Sequence, residues 1–513
     1  FPEEVMKAAM AVQDRIPASE IKRRKDLRDV YTFTIDPASA KDFDDAISII
    51  KKEDGYELYV HIADVAHYVK LESVIFAEAV NRGNSYYFPK RVLPMLPEKL
   101  SNMVCSLRPD EDKLTMTVYT KFDKKGMIRK QELMETVIRS NYRLAYEEVD
   151  NLFAGDRQNL PDELIDVLYT SRDLSRLLTK FRKENGYIFF DLPEIQYEYD
   201  QEGFIKTFTL AEETESHKLI ENFMLVANEY TASKLTQLSP TTMYRIHEDP
   251  DFAKIERLTN TLSHYGIKFL VRENLNKSYQ ALLDSLPTPE HHIVFDRMVL
   301  RSMKKAKYST EHLRHFGLAI ETYTHFTSPI RRLCDLIIHH LCKIHILKSV
   351  KETLTVTQVK HYAAVSSEKE LVADEAEREI EKVYNRAYMK DNIGEKYSGL
   401  VIGVNSSGLI VRLNELPITG VLKVNASRGS RWDFKDQELR LVNRNSGYYY
   451  QLLDKVKVQV MDVSDDIYFE LSQDSDAHIH TVTVKSSATA VPQKKKRYGT
   501  TNKVKRSDSK RKK

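Results

Sequence analysis

The segment Glu57-Leu-Tyr-Val-His-Ile-Ala63 alternates apolar and polar positions, and Tyr31-Thr-Phe-Thr-Ile35 is a β-branched and aromatic run; both predict strands, with a loop between them. Residues 113–123 and 204–210 read as further strands. Ahead of them, residues 84–109 hold Pro89, Pro94, Pro97 and Pro109, which predicts a rigid irregular segment. Helical spacing then takes over. Leu219, Ile220, Phe223, Met224, Ala227 and Tyr230 share one face of a helix over 216–235. Ile330, Leu333, Ile337, Leu341 and Ile344 do the same over 329–347, as do Val372, Ala376, Ile380, Val383 and Ala387 over 366–390. All three stripes are expected to be core. After Gly394 the pattern changes to short strands at 395–404, 409–413, 420–424, 455–463 and 467–471. Five strands in that space predict a small closed barrel of the OB type. From about 476 onward Ser, Thr and Ala give way to Lys and Arg, which reads as a disordered tail, and no internal repeat occurs.

Composition narrows the class. With 42% hydrophobic and 10% aromatic residues in 513, the chain can build a sizeable core and is not globally disordered. Three cysteines and no CxxC pair exclude a disulfide framework and a cysteine-rich zinc site, so a reducing, cytoplasmic setting is expected. No apolar run of about 18 residues is present, so no membrane helix is expected. The start, FPEEVMKAAMAVQDRIP, lacks an apolar signal core, and its first residue is Phe, which suggests a fragment or processed product. The net charge of +3 hides an asymmetry: residues 493–513 hold eleven Lys/Arg against the single acid Asp508. A mildly acidic body with a strongly basic tail suits a polyanionic partner, although a merely solvated tail has the same composition.

The sharpest chemical feature is Asp36-Pro-Ala-Ser-Ala-Lys-Asp42-Phe-Asp44-Asp45. Asp36 ends one predicted strand, and Asp42, Asp44 and Asp45 follow on the loop that turns into the next. Carboxylates this close repel one another unless cations offset them. Hard oxygen donors suit Mg²⁺ or Mn²⁺, and such a site polarises a phosphodiester and generates hydroxide. The alternative is a solvated acidic turn. A second feature is Ser328-Pro329-Ile-Arg331-Arg332. Ser at an N-cap and Pro at the first helical position predict a helix opening at 328–329, with free N–H groups and two arginines able to hold phosphate. The alternative is an ordinary capped helix whose Arg331 pairs with Asp335. Walker A, HExxH, GxSxG and GxGxxG patterns are all absent, so an ATP-driven or nucleotide-cofactor enzyme is not supported.

TIDPASAKDFDDAIS, ELYVHIADVAHYV, RGNSYYFPKRVLPMLPEKLSNMVCSL, SHKLIENFMLVAN, YRIHEDPD and HFTSPIRRLCDLIIHHL occur in this order. Together they resemble the catalytic RNB domain of the ribonuclease II/ribonuclease R family, over roughly residues 20–390. The barrel and basic tail resemble the C-terminal arrangement of the family's bacterial ribonuclease R branch; the cold-shock domains expected upstream are absent from this chain. The resemblance implies an α+β RNB catalytic domain over 1–392, an OB-fold RNA-binding domain over 393–474 and a disordered Lys/Arg-rich tail over 475–513. It implies a processive, Mg²⁺-dependent 3′-to-5′ hydrolytic exoribonuclease. Such an enzyme degrades single-stranded and 3′-overhang RNA, structured RNA included, to nucleoside 5′-monophosphates. A catalytically lapsed RNA-binding protein of the same fold is the alternative, and a monomer is the default expectation.

Residue by residue, the resemblance makes Asp36, Asp42 and Asp45 metal ligands and Asp44 the essential catalytic carboxylate. Arg331 becomes the grip on the scissile phosphate, with Arg332 beside it on the RNA, and Tyr87 the aromatic that stacks on the terminal base. It also implies a glutamate near the leaving nucleotide, with Glu375 and Glu377 both open. The chain departs from the family at Leu333-Cys334 after the arginine pair, and at His340, where an arginine is common. In the barrel, Ser407 and Ile410 stand where stacking aromatics are usual; Trp432, Phe434 and Tyr448–Tyr450 are candidate substitutes or barrel packing.

Overall fold

The computed structural model describes residues 1–157, 159–190, 194–202, 205–211, 213–424, 431–472 and 480–481. The basic tail, residues 482–513, lies outside the described residues. The N-terminal part of the chain is built on a seven-stranded sheet. Its strands are β1 (Lys25–Asp26), β2 (Phe33–Asp36), β3 (Asp45–Lys52), β4 (Gly55–Ala63), β5 (Asp112–Asp123), β6 (Ile128–Arg139) and β7 (Tyr142–Ala145), in the spatial order β1-β6-β5-β4-β3-β2-β7. The central pairs are antiparallel and the two edge pairs, β1–β6 and β2–β7, are parallel. On β3 the residues Ala46, Ile47, Ser48 and Ile49 are all buried, as expected for a strand covered on both faces. The helix Asp162–Asn185 and α1 (Glu215–Leu238) pack on this sheet. The stripe predicted for α1 is core: Leu219, Phe223 and Ala227 are fully buried.

Three helices, α2 (Phe252–His264), α3 (Leu275–Asp284) and α4 (Pro289–Ser302), pack together and share a second hydrophobic core with the barrel. The chain then returns to the sheet through α5 (Leu333–Leu341) and runs along α6 (Val356–Lys390), whose start is fixed by a capping box between Thr355 and Gln358. The predicted core stripe on this last helix is not core. Val372 and Val383 are each 47% exposed, and the buried positions are Val359, Ala363, Ser366, Ala373 and Met389. A 35-residue helix outruns the core it covers, so its apolar period continues onto positions that stay exposed or half-buried.

The predicted barrel is present. β8 (Lys396–Asn405), β9 (Gly408–Leu413), β10 (Thr419–Leu422), β11 (Lys455–Val463) and β12 (Ile467–Leu471) close in the order β8-β9-β10-β12-β11. A four-stranded sheet, unforeseen in the sequence, is inserted between β10 and β11. It comprises Trp432–Lys435, Arg440–Asn443 and Tyr448–Gln451, joined by His480–Thr481 from beyond β12. Ordered pairing therefore continues past residue 474. Most aromatics proposed as RNA platforms are spent here: Trp432 stacks on Tyr450 at 5.6 Å and Tyr449 on His480 at 5.0 Å.

A buried ion cluster locks the N-terminal segment to the sheet and to the helical turn that follows α5. Asp64 accepts from Arg24 at 2.6 Å and from Lys343 at 2.7 Å, and Lys343 also donates to Glu135 at 2.6 Å. Burial raises the Asp64 pKa, but Lys343 and Arg24 outweigh it and hold the carboxyl well below its ordinary value. Replacing Asp64 with Asn should leave two buried cations underpaired and cost about 3–5 kcal/mol of stability, read as an earlier urea midpoint. A depressed carboxyl stabilises above its unfolded pKa and loses that contribution as pH falls. The gap between parent and variant should therefore narrow below about pH 4. A constant gap across that range would place the stabilisation elsewhere.

Candidate active site

The acidic loop is clamped from two sides. On one side, Arg143 in β7 donates to the carbonyls of Pro37 and Ala38 at 2.7 and 2.9 Å. On the other, at the end of the proline-rich segment, the Ser106 hydroxyl accepts from the Phe43 N–H at 3.0 Å and donates to the Lys41 carbonyl at 2.8 Å. The Leu107 N–H reaches the Phe43 carbonyl at 3.0 Å. Residues 84–109 thus serve as the rigid wall expected of four prolines, with only two short strands and a wide helical turn at Lys99–Val104.

Asp36 closes β2, Asp45 opens β3, and Asp42 and Asp44 lie on the loop between. The four carboxylates share one environment, and each is pushed toward its neutral form. Burial, then the charge of Asp45, lifts Asp36 to about 8. Burial lifts Asp45 to about 6 against the pull of Arg331. Burial raises Asp42, and raises Asp44 strongly, with Arg331 opposing in both cases. The Oδ2 atoms of Asp36 and Asp44 are buried without a hydrogen-bond partner. Among the described residues the carboxylates do not form a preassembled three-ligand cage. Their chemistry nonetheless fits a hard divalent cation: an all-oxygen, over-acidic group with two orphaned oxygens that a cation would neutralise.

The Ser328-Pro329-Ile330-Arg331-Arg332 segment sits against this loop, but not as the start of a helix. It is a turn, and α5 begins at Leu333 with Arg332 extended before it. The N–H groups expected to face phosphate are taken by buried carboxylates. Ile330 N–H donates to Asp44 Oδ1 at 2.8 Å, and Ser328 N–H to Asp335 Oδ1 at 2.8 Å. Asp335 pairs with Arg332 at 2.7 Å, not with Arg331. Arg332 is therefore a buttress of the turn in this geometry, and the RNA contact expected of it is not seen as a free cation. Arg331 is the exposed one: 45% of its side chain is accessible, its Nε lies 3.7 Å from Asp44 Oδ2, and it donates to the Ser328 hydroxyl at 3.1 Å. His340 is buried in α5, with Nε2 3.0 Å from the Val69 carbonyl and its ring edge-on to Phe76. Where the family commonly has an arginine, this chain therefore has a core side chain.

Tyr87 stands at the same floor, 42% exposed, with its hydroxyl in a long 3.5 Å contact to Asp42. Its backbone N–H donates to Glu377 Oε1 at 2.8 Å. That contact brings Glu377, rather than Glu375, against the site.

A family model for the RNB domain matches residues 24–348. The chain belongs to the RNB family. The ribonuclease R of Aquifex aeolicus is 40% identical over 488 residues, covering 93% of this chain and 69% of its own. The structure of Mycoplasma genitalium RNase R in complex with ribose-methylated single-stranded RNA superposes with a TM-score of 0.87 at 28% identity, covering 92% of this chain and 75% of that one. The same enzyme in complex with double-stranded RNA gives 0.82 at 27% identity, with 92% and 80% covered. The RNB family is one of exoribonucleases, and that is this chain's class.

One group at this RNB site escaped the sequence reading. Tyr146, just after β7, is half-buried beside Asp45 and Asp36, and its ring stacks on His217 at 3.9 Å and 11°. Burial, then those two charges, raises its phenol. Tyr146 lies in no motif of its own. Its only signal is its place directly after a strand that pairs with the Asp36 strand, and that pairing is not visible before folding.

Proposed function

We propose that this RNB-family chain is a processive, cytoplasmic 3′-to-5′ hydrolytic exoribonuclease that releases nucleoside 5′-monophosphates from single-stranded, 3′-overhang and structured RNA. The observation that carries the reading is Asp44. It is a buried carboxylate with one oxygen held by Ile330 N–H and the other unsatisfied, Arg331 lies 3.7 Å away, and three more carboxylates surround it. Asp36, Asp42 and Asp45 would hold Mg²⁺, or Mn²⁺, which when bound polarises the phosphodiester and activates water. The chain's own residues do the rest. Arg331 reaches out from the turn to a phosphate oxygen, with the Ser328 hydroxyl orienting its guanidinium. Tyr87 offers a ring with no aromatic partner among the described residues, suited to the 3′-terminal base. The bound RNAs of the M. genitalium enzyme support RNA as the substrate.

The test is thin-layer analysis of products from 5′- and 3′-labelled RNA with EDTA or added Mg²⁺. Mononucleotide release from the 3′ end, lost in EDTA and restored by Mg²⁺, is expected. Binding without release would establish the lapsed RNA-binding alternative, and equal release from DNA would remove the ribonuclease assignment. A related expectation concerns Tyr87→Ala. One base stack is worth about 1–3 kcal/mol, and its share of binding grows as the RNA shortens. The variant should leave a longer undigested end product from poly(A); an unchanged length would take Tyr87 out of the site.

A further inference from the structure

Only Gly83, Asn84 and Ser85 separate the helix Val74–Arg82 from the strand Tyr86–Phe88 that carries Tyr87. These three residues are bonded, backbone to backbone, to the turn that carries Arg331. The Gly83 carbonyl accepts from the Leu333 N–H at 2.9 Å, and the Ser85 N–H donates to the Arg331 carbonyl at 3.0 Å. Asn84 and Arg332 face each other between those two bonds as an antiparallel bridge that lies outside the named strands. It ties the segment bearing the exposed tyrosine directly to the segment bearing the exposed arginine.

Both sides of the bridge are fixed. Gly83 has φ +76° and ψ −45°, and its own N–H closes the helix on the Ala79 carbonyl at 2.8 Å. An L side chain is strained in that conformation, and a Cβ there would collide with the Cβ and Cγ of Lys369 on α6. The position therefore requires glycine for its backbone angle and for the close approach of α6. Beyond the bridge, the Ser85 hydroxyl accepts from the Met95 N–H at 2.9 Å, which anchors both limbs of the hairpin formed by Tyr86–Phe88 and Arg91–Leu93. On the other side, the bridge takes the carbonyl of Arg331 itself and the N–H of the first residue of α5. Tyr87 stands two residues past Ser85, about 6–7 Å along an extended strand. The ring and the guanidinium are thus each held within two residues of the same pair of hydrogen bonds.

We propose that this bridge sets the register of cleavage. Gly83 and the Gly83–Leu333 and Ser85–Arg331 hydrogen bonds act as a positioning device. They fix how far the base on Tyr87 lies from the phosphate on Arg331, so that one nucleotide, and not two, fits between stack and cut. The inference rests on the reading of Tyr87 as the base stack and Arg331 as the phosphate grip. If the hairpin recedes from the turn, the terminal nucleotide sits deeper and the next phosphodiester meets Arg331 and Asp44. Water then adds to that phosphorus and the 3′-oxygen of the upstream nucleotide leaves with a proton, as in the parent reaction. Only the length of the released 5′-phosphorylated product changes, from one nucleotide to two.

The experiment resolves mononucleotides from dinucleotides released early from a uniformly labelled single-stranded RNA in Mg²⁺. It also measures kcat and KM, with melting curves to verify folding. Gly83→Ala strains the bridge from one side. Leu333→Pro and Leu333→Ala form a matched pair on the other: both give up the packing of the buried Leu333 side chain, and only proline removes the N–H that Gly83 accepts. Proline is tolerated at a first helical position, and Arg332 before it is already extended, at φ −133° and ψ 128°. The parent and Leu333→Ala should release mononucleotides alone. Gly83→Ala and Leu333→Pro should add dinucleotides and lower kcat, by on the order of 10²-fold for a displacement of about 1 Å, with KM for a long RNA little changed. In a Tyr87→Ala background, which has no stack left to misplace, Gly83→Ala should not alter the product pattern further.

Mononucleotides alone from folded Gly83→Ala and Leu333→Pro, whatever their rate, overturn the register. So do equal shares of dinucleotide from Leu333→Pro and Leu333→Ala, which would assign the effect to packing. If Gly83→Ala does not fold, the Leu333 pair decides. The two readings fail distinguishably: a parent that releases no mononucleotides sinks the enzymatic reading and the register with it, whereas a parent that releases them beside variants that release nothing longer sinks the register alone.

Discussion

Asp44→Asn is expected to abolish mononucleotide release while leaving RNA affinity close to that of the parent. The substitution is nearly isosteric, and the Asn carbonyl can still accept from the Ile330 N–H that Asp44 Oδ1 now holds at 2.8 Å, so the turn carrying Arg331 should stay in place. What is lost is the charge on the buried, unsatisfied Oδ2. On the proposed reading, ground-state affinity comes from many phosphate and stacking contacts and should not depend on one carboxylate. An interaction made only in the transition state lowers turnover and leaves binding alone. Removing one such preorganised contact costs about 10²–10³-fold in turnover elsewhere, and a carboxylate inside a cation site should cost at least that. Single-turnover rates and filter binding on the same RNA check the split. Turnover near the parent's would remove Asp44 from the chemistry. A matching collapse of affinity would make it a structural residue.

The parts of this site visible in the sequence are those carried by short, dense chemistry. Four aspartates within ten residues are a dense signal, and they do fall on and between two paired strands. The closed barrel was visible for a similar reason, because four of its five short runs largely keep period-two burial after folding, β8 being the exception. Other features depended on partners far along the chain. Ser328-Pro329 is a sound local signal for a helix start, yet Asp44, 286 residues away, takes the Ile330 N–H, and Asp335 takes that of Ser328. Two buried acceptors outweigh one local cap, so the helix opens later. Glu375 and Glu377 are indistinguishable as letters; only the contact to the Tyr87 N–H separates them. The stripe on α6 erred in the opposite sense, since helical period states which residues share a face and not whether anything lies against it. The inserted sheet was missed because its strands are four residues or shorter and its last strand comes from beyond β12, a pairing no local pattern announces.

The second large effect is expected at Asp335, a residue that touches no substrate. Its Oδ1 takes both the Ser328 N–H and the Arg332 guanidinium, and the carboxylate is fully buried. Those two bonds brace the ends of the turn that points Ile330 N–H at Asp44 and sets Arg331 beside it. Asp335→Ala would leave a buried guanidinium and a buried N–H without acceptors, at a cost of about 3–5 kcal/mol. The loss should appear in stability and, in the molecules that remain folded, in turnover, because displacement of the turn by about 1 Å can cost on the order of 10²-fold in rate. Asp335→Asn separates the two effects. Its carbonyl still accepts from Ser328, while the ion pair with Arg332 is gone. It should recover much of the stability and part of kcat, with KM for a long RNA little changed, since Arg331 is displaced in the cleft rather than removed. Thermal melts together with kcat and KM on one RNA, for Ala, Asn and the parent, give the result. If the folded fraction of Asp335→Ala turns over at the parent's rate, the turn is held by its neighbours and Asp335 serves stability alone.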